Sequence, residues 1–312
     1  MRELISSSIK IDFMGKRHIC AFLSTVAVAW AVWVFISTGD SKFGTDFLGG
    51  SEFLVSCAGE FDSEKLRAGL SAQGLSDVRV QAFQGMANEY SIRLSEGSNP
   101  TETRTKIESA LKGAFGDAVQ IQKTDFVGPT VGKELQRSAM IAVALGLLGI
   151  LVYIAVRFEF AVGLGSIIAL FHDVIISTGI YIASGHLIGM ATLAGALTIV
   201  GYSVNDTVVV FDRVREERQK RKNYDITAVV NEALNFTLSR TIITHVLTLF
   251  SALALYLVGT GDIKDLSLYL CAGIVLGCYS TIFIVAPVVI AWEKFKSRDE
   301  IATVAQAQAK RA

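Results

Sequence analysis

Residues Leu187–Phe211 read LIGMATLAGALTIVGYSVNDTVVVF. A hydrocarbon core about 30 Å thick is crossed by about 20 mostly apolar residues in a helix, and this run is long enough. It nevertheless carries a carboxylate, Asp206. Ionisable side chains are expensive in a bilayer and mark function when present. At ~1.5 Å per residue, Asp206 sits on the order of 10 Å from the midpoint of the run. The basic stretch Arg213–Lys222, RVREERQKRK, follows directly. Such an excess of Lys and Arg beside a span marks its cytoplasmic end.

Working outward, five more apolar runs reach spanning length: Cys20–Ser37, Ser138–Val156, Phe160–Ala183, Ser239–Val258 and Leu266–Trp292. The 312 residues are 51% hydrophobic, have a mean hydropathy of +0.47 and include three prolines. This is the composition of an α-helical polytopic membrane protein with six transmembrane helices, not of a soluble domain. Lys10, Lys16 and Arg17, then Arg157, then Lys294, Lys296 and Arg298 join Arg213–Lys222 on one side if both termini are cytoplasmic. The first apolar run continues through Trp33, Phe35 and Ile36, past the length of a cleaved signal, so it is expected as a retained helix. The expected organisation is a cytoplasmic N-terminus over 1–19, a first span over 20–37 and an extracytoplasmic domain with linkers over 38–137. Helices two to six then cover 138–292, with a cytoplasmic amphipathic segment near 223–236, and 293–312 form a tail expected to be disordered at its AQAQAKRA end.

The charged region Gly39–Lys133 is the only soluble stretch large enough for a domain. Its patterns predict strand Ser51–Ser56, a helix capped by Asp62 and ended at Gly74, strands Asp77–Phe83 and Glu89–Ser95 around a turn with Gly85 and Asn88, a helix from Asn99-Pro100 to Phe115, and strand Ala118–Phe126. The order β-α-β-β-α-β is the ferredoxin-like α+β arrangement, which hosts many activities and names none. Nucleophile-base sets and Gly-rich phosphate loops are absent from the sequence, which argues against catalysis there. Cys20, Cys271 and Cys278 lie in apolar runs and Cys57 stands alone in the domain, so neither a disulfide framework nor a metal-binding spacing is expected, and no cofactor is called for.

Inside the spans, His172 and Asp173 share a helical face with Ser166 and Ser177. A pinning hydrogen bond and a proton-handling or gating site both remain open for them. Tyr202 and Ser203 lie one turn before Asp206 on its face, whereas Asn205 points elsewhere. Arg240, Thr244, Thr248 and Ser251 form a stripe on the fifth span, with Thr237, Thr241 and His245 alongside. Asp206 and Arg240 are therefore the candidate proton-coupling pair, and His172, Asp173, Tyr202, Ser203, Asn205 and Thr244 the candidate supporting set. Gly273 with Gly277, and Gly185 with Gly189, have spacings that permit close helix approach. The basic run after the fourth span is a topology anchor rather than a nucleic-acid site.

In order along the chain, GTDFLGGSEF, VGPTVGKEL, RFEF, HDV, GYSVNDTVVVFDRVRE and LSRTIITH resemble the signatures of the SecF family of the SecD-SecF protein-export complex, within the resistance-nodulation-division superfamily. The resemblance covers nearly the whole chain. It implies a subunit of the bacterial inner membrane that pairs with SecD and uses the proton-motive force to promote late preprotein export. The Sec channel and its cytoplasmic ATPase are implied as indirect partners, together with a small third subunit, translocating preproteins and membrane lipid, but no nucleic acid. Asp206 and Arg240 match the family's carboxylate and arginine, acting with an aspartate from SecD. A proton-driven small-molecule or lipid exporter of the same superfamily is the alternative, though six spans and one small domain offer no obvious substrate pocket.

Overall fold

The computed structural model describes residues 11–58, 61–75, 78–82, 88–94, 100–221, 224–259 and 261–309. Helix α1 (Arg17–Ser37) leads into a short connection containing α2 (Thr45–Leu48). The α+β domain follows as β1 (Gly50–Cys57), α3 (Ser63–Ala72), β2 (Val78–Ala82), β3 (Glu89–Leu94), α4 (Pro100–Phe115) and β4 (Val119–Val127). Asp62 occupies the cap position of α3 and Gly74, with φ +87°, closes its end. The expected Gly85 lies outside the described residues, while Asn88 takes the left-handed conformation the hairpin turn calls for, φ +74°. The sheet runs β2-β3-β1-β4 with antiparallel neighbours, and Phe53, Val55, Ile92, Leu66, Leu70, Ile107 and Leu111 fill the layer between sheet and helices. This is the ferredoxin-like α+β domain, inserted between the first and second spans.

The remaining helices are α5 (Pro129–Arg157), α6 (Phe160–Ala183), α7 (Met190–Gln219), α8 (Ile226–Val258) and α9 (Asp262–Ser280), which passes through a π turn at Thr281–Val285 into α10 (Ala286–Ala309). Among the described residues, six helices are long and apolar enough to cross a membrane: α1, α5, α6, α7, α8 and the α9–α10 rod. The chain is a multi-pass membrane protein. Helices α6, α7 and α9 form the interior, whereas α1, α5 and α8 turn most of their surface outward, as expected where lipid replaces water as the solvent. Gly273 lets α9 close onto α7, since a Cβ there would lie 1.9 Å from Ile199 Cδ1. Gly185 and Gly189 behave differently from a packing pair: Gly185 makes the left-handed turn after α6, and Gly189 starts α7.

Two expectations at the end of the bundle far from the α+β domain are corrected. The segment near 223–236 is not a separate interfacial helix but the first part of α8, continuous with the span. Its apolar face is consumed within the bundle: Ile226, Val229, Val230, Ala233 and Leu234 pack with Val210, Phe211, Val214, Val285, Ala286, Val289 and Ile290. The AQAQAKRA tail is also ordered in part, because α10 continues to Ala309 through Ala and Gln, both strong helix formers. Residues 310–312 lie outside the described residues. At the same end, the stretch before α1 is stitched to α8. Asn235 receives the Ile11 N–H at 2.8 Å and donates to the Ile11 carbonyl at 2.9 Å, Asn231 receives the Phe13 N–H at 2.9 Å, and Met14 is buried in the core cluster to which α6, α7, α8 and α10 contribute.

Candidate functional site: two buried carboxylates

Helix α6 is apolar on nearly every face, so its two polar residues near mid-span must be satisfied by neighbouring helices. Asp173 is fully buried and accepts three hydrogen bonds: from His172 Nδ1 at 2.9 Å, Ser203 Oγ of α7 at 2.9 Å and Ser280 Oγ of α9 at 2.7 Å. A carboxylate can only accept, so His172 Nδ1 carries the hydrogen. The His172 ring stacks on Tyr279 with centroids 6.0 Å apart. Ser166 and Ser177 are buried on the same helix but do not reach Asp173: Ser166 Oγ donates to Val162 O within α6. Asp173 thus joins the three interior helices.

Asp206, on α7, is also buried, with 6% of its surface exposed, but its surroundings are of another kind. Its Oδ2 accepts no hydrogen bond and its nearest titratable partner is the imidazole of His245 on α8, Nδ1 to Oδ2 3.4 Å. Ser203, expected on the Asp206 face, gives its hydroxyl to Asp173 instead. Tyr202 likewise turns to α8, donating within 3.1 Å of both Thr244 O and Thr248 Oγ1 and meeting the His245 ring edge-on at 5.1 Å. Asn205 is exposed and takes no part. Thr244, Thr248 and Ser251 bond back to carbonyls of their own helix, so much of the α8 polar stripe is satisfied locally.

Arg240 does not pair with Asp206. Its side chain is exposed and the two make no ion pair within contact distance; Arg240 remains near enough for its charge to be felt at the carboxylate. The pairing anticipated from adjacent spans fails on rotation about the helix axis. Arg240 and His245 are five residues apart, so at about 100° per residue they point in widely different directions, and it is His245 that faces α7.

Three residues that no sequence spacing connects meet here. Donor atoms of Asp206, His245 and Cys278, from α7, α8 and α9, lie within 4.8 Å of one another. Carboxylate, imidazole and thiolate are all metal-ligand types. His245 Nδ1, however, lies 2.9 Å from Thr241 O, an acceptor, so that nitrogen already serves the helix backbone. Thr281, the first residue of the π turn, lines the small space beside Asp206 and Cys278, and its Oγ1 lies 3.2 Å from Thr207 Oγ1. A π turn widens a helix by one residue and recurs at functional sites.

The family model described as Protein export membrane protein SecD/SecF, C-terminal, matches residues 106–295, a stretch holding both carboxylates. Proteins named Protein translocase subunit SecF are similar over almost the full length: 38% identity for Rickettsia typhi, covering 95% of this chain and 97% of that one, and 37% for Rickettsia prowazekii, covering 96% and 97%. The chain belongs to the SecF family. A crystal structure of SecDF, a translocon-associated membrane protein from Thermus, matches 93% of this chain with a TM-score of 0.83 at 33% identity. A second SecDF structure, in a super-membrane-facing form, matches 95% at the same identity with a TM-score of 0.69. This SecF-family chain spans 40% of each of those SecDF chains. It is a multi-pass inner-membrane SecF subunit of protein translocase.

Proposed function

We propose that this chain pairs with a SecD chain as an accessory of the Sec preprotein translocase and draws on the proton-motive force at Asp206 to promote late-stage export. The carrying observation is the contrast between the two buried carboxylates. Asp173 has three donors and Asp206 has a bare Oδ2, so Asp206 is the one with room to accept a proton. The basic flanks support a cytoplasmic position for both termini and the Arg157 turn, with the α+β domain outside. A proton arriving from outside neutralises Asp206, weakens its attraction to His245 and to the more distant Arg240, and releases α7 from α8.

The magnitudes suffice. One charge moved through 100 mV supplies about 2.3 kcal/mol. That quantity alone shifts a two-state equilibrium well beyond tenfold. The two SecDF structures, at the same 33% identity, fit this chain with TM-scores of 0.83 and 0.69, which supports a fold with more than one arrangement. The part of SecDF that this chain does not span supports a SecD-like partner, and exposed apolar residues such as Leu145, Leu148 and Val152 on α5 and Leu247 and Phe250 on α8 offer surface for it.

The test is preprotein export into membrane vesicles containing the chain with SecD, with and without a proton gradient. Asp206→Asn is expected to remove the gradient-dependent part while the complex still assembles. Unchanged stimulation would refute proton coupling at Asp206 and leave a scaffold role.

A further inference from the structure

The connection between α1 and β1 is more than a tether. Helix α7, which carries Asp206, begins at Met190 behind a cap residue, Gly189, that has no side chain to receive the first free N–H groups. The missing acceptor comes from elsewhere in the chain: Asp46 Oδ2 receives the Met190 N–H at 2.8 Å. A carboxylate at a helix N-terminus also meets the positive end of the helix dipole. A Cβ at 189 would stand 2.7 Å from Asp46 Oδ2, so a larger residue there would make this carboxylate move.

The backbone around Asp46 is bound on both sides. Gly44 N–H donates to Ile188 O at 2.8 Å and Ile188 N–H to Lys42 O at 2.7 Å, joining the connection to the turn before α7 as a short parallel bridge. Gly132, in the first turn of α5, presses on the same segment, where a Cβ would come 3.2 Å from Gly49 N. On the other side the segment is fastened to the sheet. Thr45 Oγ1 donates to Glu52 Oε2 at 3.1 Å, Ser91 Oγ to Glu52 Oε1 at 2.5 Å, and Arg93 Nη1 to Phe43 O at 2.6 Å. Thr45, Ser91 and Arg93 are all buried, so these are interior bonds and not surface ones. Gly49 and Gly50, with φ +72° and +110°, turn the segment directly into β1.

We propose that Asp46 is a positioning residue that locks the start of α7 to the α+β domain through the Phe43–Gly50 segment, so that displacement of α7 moves the domain with it. The consequence for export rests on proton coupling at Asp206; the lock itself does not. Glu52 anchors the domain side and Asp46 the helix side of one stiff piece of backbone.

The experiment uses the full chain with SecD in proteoliposomes. Asp46→Ala is expected to lower gradient-dependent export about fivefold, the equilibrium equivalent of a lost helix cap, with gradient-independent export and complex assembly retained. Asp46→Asn keeps an acceptor oxygen and is expected to restore most of it. Spin labels on exposed Arg67 of α3 and Ala183 at the end of α6 supply a second readout: the distance distribution is narrow in the native chain and broadens in Asp46→Ala. Full gradient-dependent export in Asp46→Ala, with Asp206→Asn inactive, overturns the lock and leaves proton coupling standing. If Asp206→Asn is fully active, proton coupling fails and the label distances decide the lock alone: broadening supports it and an unchanged width overturns it.

Discussion

His245 Nδ1 lies 3.4 Å from Asp206 Oδ2, and no Lys or Arg of the described residues comes so near that carboxylate. The same nitrogen is 2.9 Å from Thr241 O, so its hydrogen serves its own helix and Asp206 Oδ2 is left without a donor. Replacing it with glutamine keeps a donor but carries it one bond beyond the Nδ1 position and removes the ring that meets Tyr202. We expect His245→Gln to cut gradient-dependent export about tenfold, the equivalent of about 1.4 kcal/mol, with gradient-independent export unchanged. Vesicle export at a series of imposed gradients measures this. An unaltered response would mean that His245 only packs.

Asp173 predicts the opposite behaviour. Removing a buried charged acceptor abandons three donors, each hydrogen bond to a charged group being worth about 1.5–3 kcal/mol. Asp173→Ala should therefore lower the thermal unfolding midpoint in detergent far more than Asp206→Ala does. Ser280→Ala, which removes one of the three donors, should cost about 1.5–3 kcal/mol. Equal midpoints for the two aspartate variants would contradict the contrast between the sites.

Close approach of α7 and α9 depends on Gly273. Adding a methyl group there drives it into Ile199, and overpacking of this kind costs about 1–3 kcal/mol. Gly273→Ala should reduce stability, and combining it with Ile199→Val should recover part of the loss. A double variant no better than Gly273→Ala would show that the strain is taken up elsewhere.

Cys57 reports on the α+β domain. It is 6% exposed in the sheet core, and burial pushes its thiol above the ordinary range, which disfavours the reactive thiolate. With the other three cysteines replaced by serine or alanine, maleimide labelling of Cys57 near neutral pH should be slow in the folded chain and faster after denaturation. Fast labelling of the native protein would place Cys57 outside the core.

Much of this was legible because each feature is encoded locally. Spanning helices announce themselves as long apolar runs, the β-α-β-β-α-β order follows from period-two and helical patterns, and Asp206 and Asp173 stand out as charges where none is expected. What escaped depends on how one helix is rotated against another. Periodicity put Ser203 and Asp206 on one face, but not Ser203 beneath Asp173; it set His245 beside Arg240, but not which of them faces α7. Cys278 and Ser280 read as unremarkable small residues until α9 is packed in place. The π turn at Thr281–Val285 has no proline or glycine to betray it. The amphipathic start of α8 showed the right periodicity, but its apolar face meets other helices and not the membrane surface.

The stitching of Ile11 and Phe13 to Asn235 and Asn231 sets an order of events during synthesis. The residues that receive the segment before α1 are made more than two hundred positions later, after four of the six spanning helices. When α1 first enters the bilayer, the Asn235 and Asn231 side chains that hold Ile11 and Phe13 do not yet exist. Closure of this end of the bundle is therefore a late step of biogenesis. A ribosome stalled before α8 would leave the segment free, and its protection from protease should appear only once α8 and the final span have emerged.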